Sequence, residues 1–398
     1  MYQLGFLIFL AALPPLVGYA YTSARRGHWY GRVNFAEVGI CLIVGVLVAV
    51  SGYFVARDSL FSDLEFLNGS IVGKDMRRVS CAHCRTVCDS RDKDGNCTAS
   101  HTECDHDYDQ QWFAWTDYQP YFPSEGTIIF PNVDAQGLGT PPGWAAVQIG
   151  QPATTLHRYE NIARGAGQSS VFGYNPKSSL SVSATKQGLV PRRPQAIYEG
   201  WSLTPKFQYK GELADGRPSG NGFSTLDLFN VGLMSVNAEA GPKVQADVEV
   251  LVCANNFCDA LWATAVMDAW RGGAKNGVNV FIGADSDNKP TWVEVKYGLP
   301  GENQSEAERK GNNAYLAVIL RDRILSEVAD ATDPVQMLPI LREEVLENFN
   351  RKPNADFKYL KPGVHPTTGQ MWFMSILILV VTSGLTVYFE QSDPFNLD

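Results

Sequence analysis

The sequence predicts an α+β chain with three transmembrane helices and a large extracytoplasmic loop. Three features lead to this prediction: three long apolar stretches, a cysteine cluster after the second stretch, and alternating strand and helix patterns before the third. Each apolar stretch is near the roughly 20 residues that a bilayer crossing requires. The 398 residues are 45% hydrophobic, which excludes a wholly disordered chain and leaves enough apolar surface for a folded loop.

The apolar stretches are residues 4–21, 35–56 and 371–389. The first has no basic residue ahead of its apolar run and no small-residue cleavage site before a polar start. We therefore expect it to be retained as a membrane helix and not removed as a signal peptide. For each stretch, the alternative is a buried helix of a soluble domain.

Charge predicts the orientation of these helices. The short segment between the first two stretches carries Arg25, Arg26 and Arg32 and no acid, and short loops rich in Arg stay in the cytoplasm. Residues 57–370 then lie outside, in the periplasm of a bacterial cell, and the tail 390–398 is cytoplasmic. The lipid bilayer of the inner membrane is thus the first expected partner. The net charge of −9 is spread along the chain and excludes a nucleic-acid partner.

The loop divides by composition, and Asn68-Gly69 near its start is a turn signal. Short alternating runs such as TIIFPNV, WAAVQIG and FQYKGEL, separated by Pro, Gly and Ser, favour strands over helices in its middle part. The predicted segments, after a transmembrane hairpin in 1–56, are a Cys-rich segment at 57–110, a strand-rich region at 111–241, an α/β domain at 242–355 and a linker at 356–370.

The Cys-rich segment holds five of the eight cysteines. Thiolates and imidazoles in close pairs suit tetrahedral zinc, and in an oxidising compartment the same cysteines form disulfides. Structural disulfides, a zinc site, a redox-active pair and unpaired thiols all remain open. The zinc alternative would use Cys81, Cys84, Cys97 and Cys104, with His83, His101 and His106 nearby.

Acidic residues follow within the same segment. The run Asp89, Asp92, Asp94, Gly95, Asn96 is similar to an oxygen-rich calcium loop, although no Glu closes it, and a solvated turn is the alternative. The later acids up to Asp109 alternate with Cys104, His106 and Tyr108, and we treat them as surface residues.

Residues 242–355 are the most regular part of the loop. VQADVEVLVCA, NGVNVFIGAD and TWVEVKYGL alternate as strands, and the segment after Asp259 has helical spacing. A helical stripe in 305–329 precedes a helix that Asp333 can cap, with Pro334 in its first turn. Cys253 and Cys258 bracket a strand-to-helix turn, where a disulfide or a second metal site are the alternatives.

Two resemblances extend this picture. The stretch ADVEVLV…MDAWRGGAKNGVNVFIGADSDNKPTWVEVKYGL resembles the TPM domain, in which an Asn-Gly precedes an apolar strand and the last strand ends in Gly-Tyr-Gly, here Lys296-Tyr297-Gly298. This resemblance implies a TPM-like α/β sandwich outside the cytoplasm. The full layout, including CRTVC, HDYD, AWRGGAKN and FKYLKPG, resembles uncharacterised membrane proteins of large tailed phages, which implies a phage-encoded protein.

The sequence leaves catalysis uncertain, because it contains no GxSxG elbow, HExxH motif, Walker loop or GxGxxG after a strand. We expect a membrane-anchored protein that acts by binding other envelope or membrane proteins, with a second copy of the chain as one such partner. The alternative that the TPM resemblance implies is a metal-dependent phosphatase. Its cation would be held at strand ends by Asp285, Asp287 and Glu294, for each of which a solvated turn is the alternative.

Overall fold

A computed structural model gives the architecture of the chain. It describes residues 2–26, 32–81, 84–118, 127–130, 139–162, 179–191, 207–210, 225–270, 276–297, 313–351 and 354–392. The elements in chain order are α1 (Tyr2–Arg26), α2 (Arg32–Ser59), β1 (Ser62–Ser80), β2 (Cys84–Arg91), β3 (Cys97–Cys104), β4 (Tyr108–Thr116), β5 (Thr127–Phe130), α3 (Pro142–Ala146), β6 (Pro152–Glu160), α4 (Ser179–Lys186), β7 (Phe207–Lys210), α5 (Thr225–Val244), β8 (Asp247–Ala254), α6 (Leu261–Ala269), β9 (Gly277–Ala284), β10 (Pro290–Tyr297), α7 (Asn313–Glu327), α8 (Pro334–Asn348), a 3₁₀ helix (Asn354–Gly363) and α9 (Thr368–Ser392).

The first of two compact units comprises the described residues up to Asp63, residues 159–162 and those from 354 onward. Its helices α1, α2 and α9 pack on one another and are each long and apolar enough to cross a membrane. The three predicted apolar helices are thus confirmed as helices. Small residues allow their close approach, since Gly45 in α2 faces Ala11 and Thr382.

Polar contacts join the end of α2 to the start of α9 in this unit. The Arg57 guanidinium donates to the carbonyl oxygen of Lys361 at 2.8 Å, and the Gln370 amide donates to the carbonyl oxygen of Ala56 at 3.1 Å. The Tyr53 hydroxyl lies 3.0 Å from Nδ1 of His365. Burial, with Arg57 nearby, lowers the pKa of His365, so its ring is neutral at pH 7 and can accept this hydrogen bond.

The second unit contains the remaining described residues, 64–158 and 179–351 with the gaps given above. Its first sheet has the order β5-β4-β1-β6, with antiparallel pairing between β1 and β4 and between β4 and β5. Strand β1 runs straight through Asn68-Gly69, so the turn predicted there is wrong. The Asn68 side chain instead donates to Asp247 at 2.8 Å and accepts from Thr154 at 2.5 Å inside the fold.

A second sheet, in the order β10-β9-β8-β7, forms the middle layer of an α/β sandwich. Strands β7, β8 and β9 are parallel, and β10 returns antiparallel to β9. Helices α5, α7 and α8 cover one face over a core that includes Val250, Val280 and Leu320. Helix α6 covers the other face, where Trp262 packs near Phe281. The predicted strand and helix order of residues 247–348 is confirmed.

The expectation of strands over helices in 111–241 is wrong in part. Strands β5 and β7 form as predicted, but WAAVQIG is the end of α3 and a turn, and α5 occupies 225–244. Buried Phe229, Leu233 and Val236 recur at helical spacing and pack into the sandwich core. The sandwich therefore includes residues that precede the predicted boundary at residue 242. Hydrogen bonds from Arg342 of α8 and from Lys243 lower the pKa of Glu239 to about 2.

The predicted cap of α8 is confirmed. The Asp333 carboxylate accepts from the backbone N–H of Val335 at 2.9 Å, Pro334 occupies the first turn, and the Gln336 amide donates to Asp333 at 2.7 Å. Together these contacts satisfy a backbone donor that the helix start would otherwise leave open.

We therefore expect Asp333→Ala to lower the free energy of unfolding by about 1 kcal/mol, because the cap is lost while the core is untouched. Urea unfolding followed by tryptophan fluorescence measures this change. Asp333→Ser keeps a capping oxygen and should stay within a few tenths of a kcal/mol of the native chain. An equal loss for both variants would contradict the capping role.

Candidate metal and thiol site at the base of a disulfide hairpin

Strands β2 and β3 form an antiparallel hairpin whose turn is built by the acidic run of the sequence. The Asp92 carboxylate accepts backbone N–H groups of Asp94 and Asn96 at 2.9 and 2.8 Å, and Gly95 adopts φ +86°. The hydrogen bond from Asn96 lowers the pKa of Asp92. One carboxylate of the possible calcium loop, that of Asp92, therefore shapes the turn, and the solvated-turn interpretation fits the structure.

Two disulfides staple this hairpin. Cys84 pairs with Cys104 at its base, and Cys88 pairs with Cys97 near its turn. The predicted disulfides of the Cys-rich segment are confirmed. Three of the four candidate zinc ligands, Cys84, Cys97 and Cys104, thus lie in disulfides, whose sulfur atoms offer no thiolate to a metal. A site from these four sulfurs would require both disulfides to be reduced.

Cys81 lies outside the disulfides, directly after β1. The pairing of Val79 with Asp109 and of Ser80 with Tyr108 brings the start of β4 beside it. The Cys81 sulfur lies 3.5 Å from Nε2 of His106, and the same nitrogen contacts the Asp109 carboxylate. The three ligand atoms lie within 4.8 Å of one another.

This cluster is shielded from solvent. The Asp109 side chain is 7% exposed and that of His106 is 16% exposed. The surface role expected for Asp109 is therefore wrong. The sulfur atoms of Cys81, Cys84 and Cys104 also lie within 4.8 Å of one another, so a thiol stands beside the disulfide at the hairpin base. The remaining histidines are placed differently: His101 pairs with Asp89 on the exposed hairpin, and His83 lies outside the described residues.

The proposed phosphatase ligands have local partners. Asp285 follows β9 and accepts the backbone N–H groups of Asp287 and Lys289 at 3.0 and 2.9 Å, which closes the β9–β10 turn. Glu294, on β10, pairs with Lys296 at 3.0 Å. Within the described ranges, these three acids do not belong to a group whose ligand atoms come within 4.8 Å of one another.

The third disulfide joins Cys253 to Cys258, which confirms the predicted staple of the strand-to-helix turn. Asp259 next to it accepts the backbone N–H of Leu261 at 3.0 Å and so supports the start of α6. The structure thus supports the disulfide alternative for this cysteine pair. The bond links the end of β8 to the segment before α6.

Comparisons with protein-family models, with curated proteins and with solved structures found no match to this chain. The TPM and phage resemblances therefore remain predictions from the sequence.

Proposed function

We propose that the chain is a membrane-anchored protein that acts by binding other envelope or membrane proteins, and that the β2–β3 hairpin is its binding element. The anchor consists of α1, α2 and α9. The observation that carries the proposal is the exposure of the hairpin, since all eight residues of β3 are exposed. Both faces of the strand are thus available to a partner.

The hairpin is stabilised by its crosslinks. A two-stranded hairpin alone is marginal in water, because it buries too little apolar surface. Its disulfides join residues that are 20 and 9 positions apart in sequence. Each one lowers the entropy of the unfolded chain and so raises the free energy of the unfolded state by about 3 kcal/mol. A rigid element that needs no packed core can present its side chains to another protein at a low ordering cost.

The disulfides also support the proposed orientation. Disulfides form and persist outside the cytoplasm, which agrees with the periplasmic placement of residues 57–370 in an inner-membrane protein with a cytoplasmic C-terminus. Arg25, Arg26 and Arg32 favour the same orientation. The phage origin is supported by the sequence resemblance alone.

A photo-reactive residue in place of Thr102 tests the binding role in intact cells. Thr102 is exposed on β3, so irradiation should yield adducts with another protein or with a second copy of the chain. The matched control places the same residue at Arg321, exposed on α7, where we expect no such adducts. No adduct from position 102, or the same adducts from both positions, would contradict the proposal.

The phosphatase alternative gains no support from the described acids, because Asp285, Asp287 and Glu294 do not converge. It stays a prediction from the sequence. Incubation of the full chain with magnesium or calcium and a generic phosphoester tests it, and the absence of turnover would dismiss it.

A further inference from the structure

We propose that Cys81, His106 and Asp109 bind one Zn²⁺ ion while the two hairpin disulfides stay intact. This ligand set differs from the four-cysteine site considered from the sequence, and it does not depend on the proposed binding function. It combines a thiolate, an imidazole and a carboxylate, the three ligand types that zinc uses in proteins.

The separation of the Cys81 sulfur and Nε2 of His106 fits a zinc tetrahedron. Zinc–sulfur and zinc–nitrogen bonds of about 2.3 and 2.0 Å at tetrahedral angles place the two ligand atoms about 3.5 Å apart. The Cys81 sulfur and Nε2 of His106 are 3.5 Å apart. The Asp109 carboxylate meets the same ring nitrogen more closely than two ligands of one zinc ion lie, so zinc binding requires this carboxylate to move back from the ring.

One nitrogen of His106 faces both other groups. Nε2 contacts the Cys81 sulfur and the Asp109 carboxylate, and the three ligand atoms lie within 4.8 Å of one another. A neutral imidazole nitrogen with its lone pair available is the form that binds zinc. The three groups therefore converge as the ligands of one ion do.

Burial points the same way. The Asp109 side chain is 7% exposed, and the low local dielectric strengthens the attraction between its carboxylate and a bound cation. The two arms of the site are fixed by the β1–β4 pairing, and the Cys84–Cys104 disulfide follows Cys81 by three residues. Strand pairing therefore holds the three ligands in place while both hairpin disulfides are intact.

The test measures zinc binding by the full chain in detergent without reductant. We expect about one zinc per chain, measured by metal analysis and by competition with a chromophoric chelator. Cys81→Ser and His106→Gln should each weaken binding by at least about 100-fold, since loss of even an outer-sphere partner costs 10–100-fold. Bound Co²⁺ should show a thiolate charge-transfer band that Cys81→Ser removes.

His101→Gln is the matched control, because His101 is an exposed histidine of the same hairpin. It should bind zinc as the native chain does. Mass mapping of the Cys84–Cys104 and Cys88–Cys97 peptides checks that each variant keeps its disulfides. The proposal is overturned if the disulfide-intact chain binds no zinc, if zinc binds only after reduction, or if His101→Gln weakens binding as much as His106→Gln.

Discussion

Arg351→Met is expected to lower the free energy of unfolding by about 3–5 kcal/mol, because it leaves a buried carboxylate without its cation. Glu65 on β1 has a side chain that is 1% exposed. The Arg351 guanidinium donates to both of its oxygens, at 2.7 Å to Oε2, and also contacts Gln245. Nδ1 of His157 lies 3.0 Å from Oε1 of the same carboxylate, an oxygen that Arg351 also contacts.

The double variant Glu65→Gln, Arg351→Met separates the buried charge from the lost packing. Removal of both charges should restore a large part of the stability, since an unpaired buried charge costs more than the pair contributes. Urea unfolding of both variants in the same detergent provides the measurement. A loss below about 1 kcal/mol for Arg351→Met, or an equal loss for the double variant, would contradict the account.

Gly241→Ala is expected to cost roughly 2 kcal/mol or more, because overpacking against fixed atoms forces the backbone to move. A Cβ at position 241 of α5 would overlap the backbone carbonyl of Asn68 in β1. The gain in helix propensity from Ala, about 1 kcal/mol, would not offset this overlap.

Gly232→Ala provides the matched control in the same helix. The added methyl there meets the end of the Leu338 side chain, which can rotate away. We expect a loss of about 1 kcal/mol or less for this variant. Thermal unfolding of both proteins decides the comparison, and a larger loss at position 232 than at 241 would show that α5 and β1 do not approach as described.

Much of the fold could be predicted because its signals are local. The three apolar helices, the strand and helix order after residue 247, the Asp333 cap and the Cys253–Cys258 staple each depend on residues close in sequence. Helix α5 was missed because Gly, Ser, Asn and Pro interrupt its apolar spacing. Some of those small residues serve packing, since Gly241 lets the helix approach Asn68.

The prediction of a turn at Asn68-Gly69 is wrong for a related reason. Its signal is local, but the Asn68 amide is used by Asp247 and Thr154, which are distant in sequence. Tertiary hydrogen bonds thus outweigh the turn preference of the pair.

The candidate site could be found only in part from the sequence. The ligand types of the Cys-rich segment were visible, but the partners of Cys81 depend on the register of β1 and β4. His106 lies in the bend between β3 and β4 and contacts Asp109 at the start of β4. The spacing of HDYD was the available signal, and its alternation concealed that Asp109 is buried.

An alkaline carbonate wash of cell membranes tests the central claim, that α1, α2 and α9 anchor the chain in a bilayer. Each helix has a span of 20 to 24 residues with apolar composition, so the chain should remain in the membrane pellet after peripheral proteins are released. Recovery of the full-length chain in the wash would contradict the anchor and the binding function proposed on it.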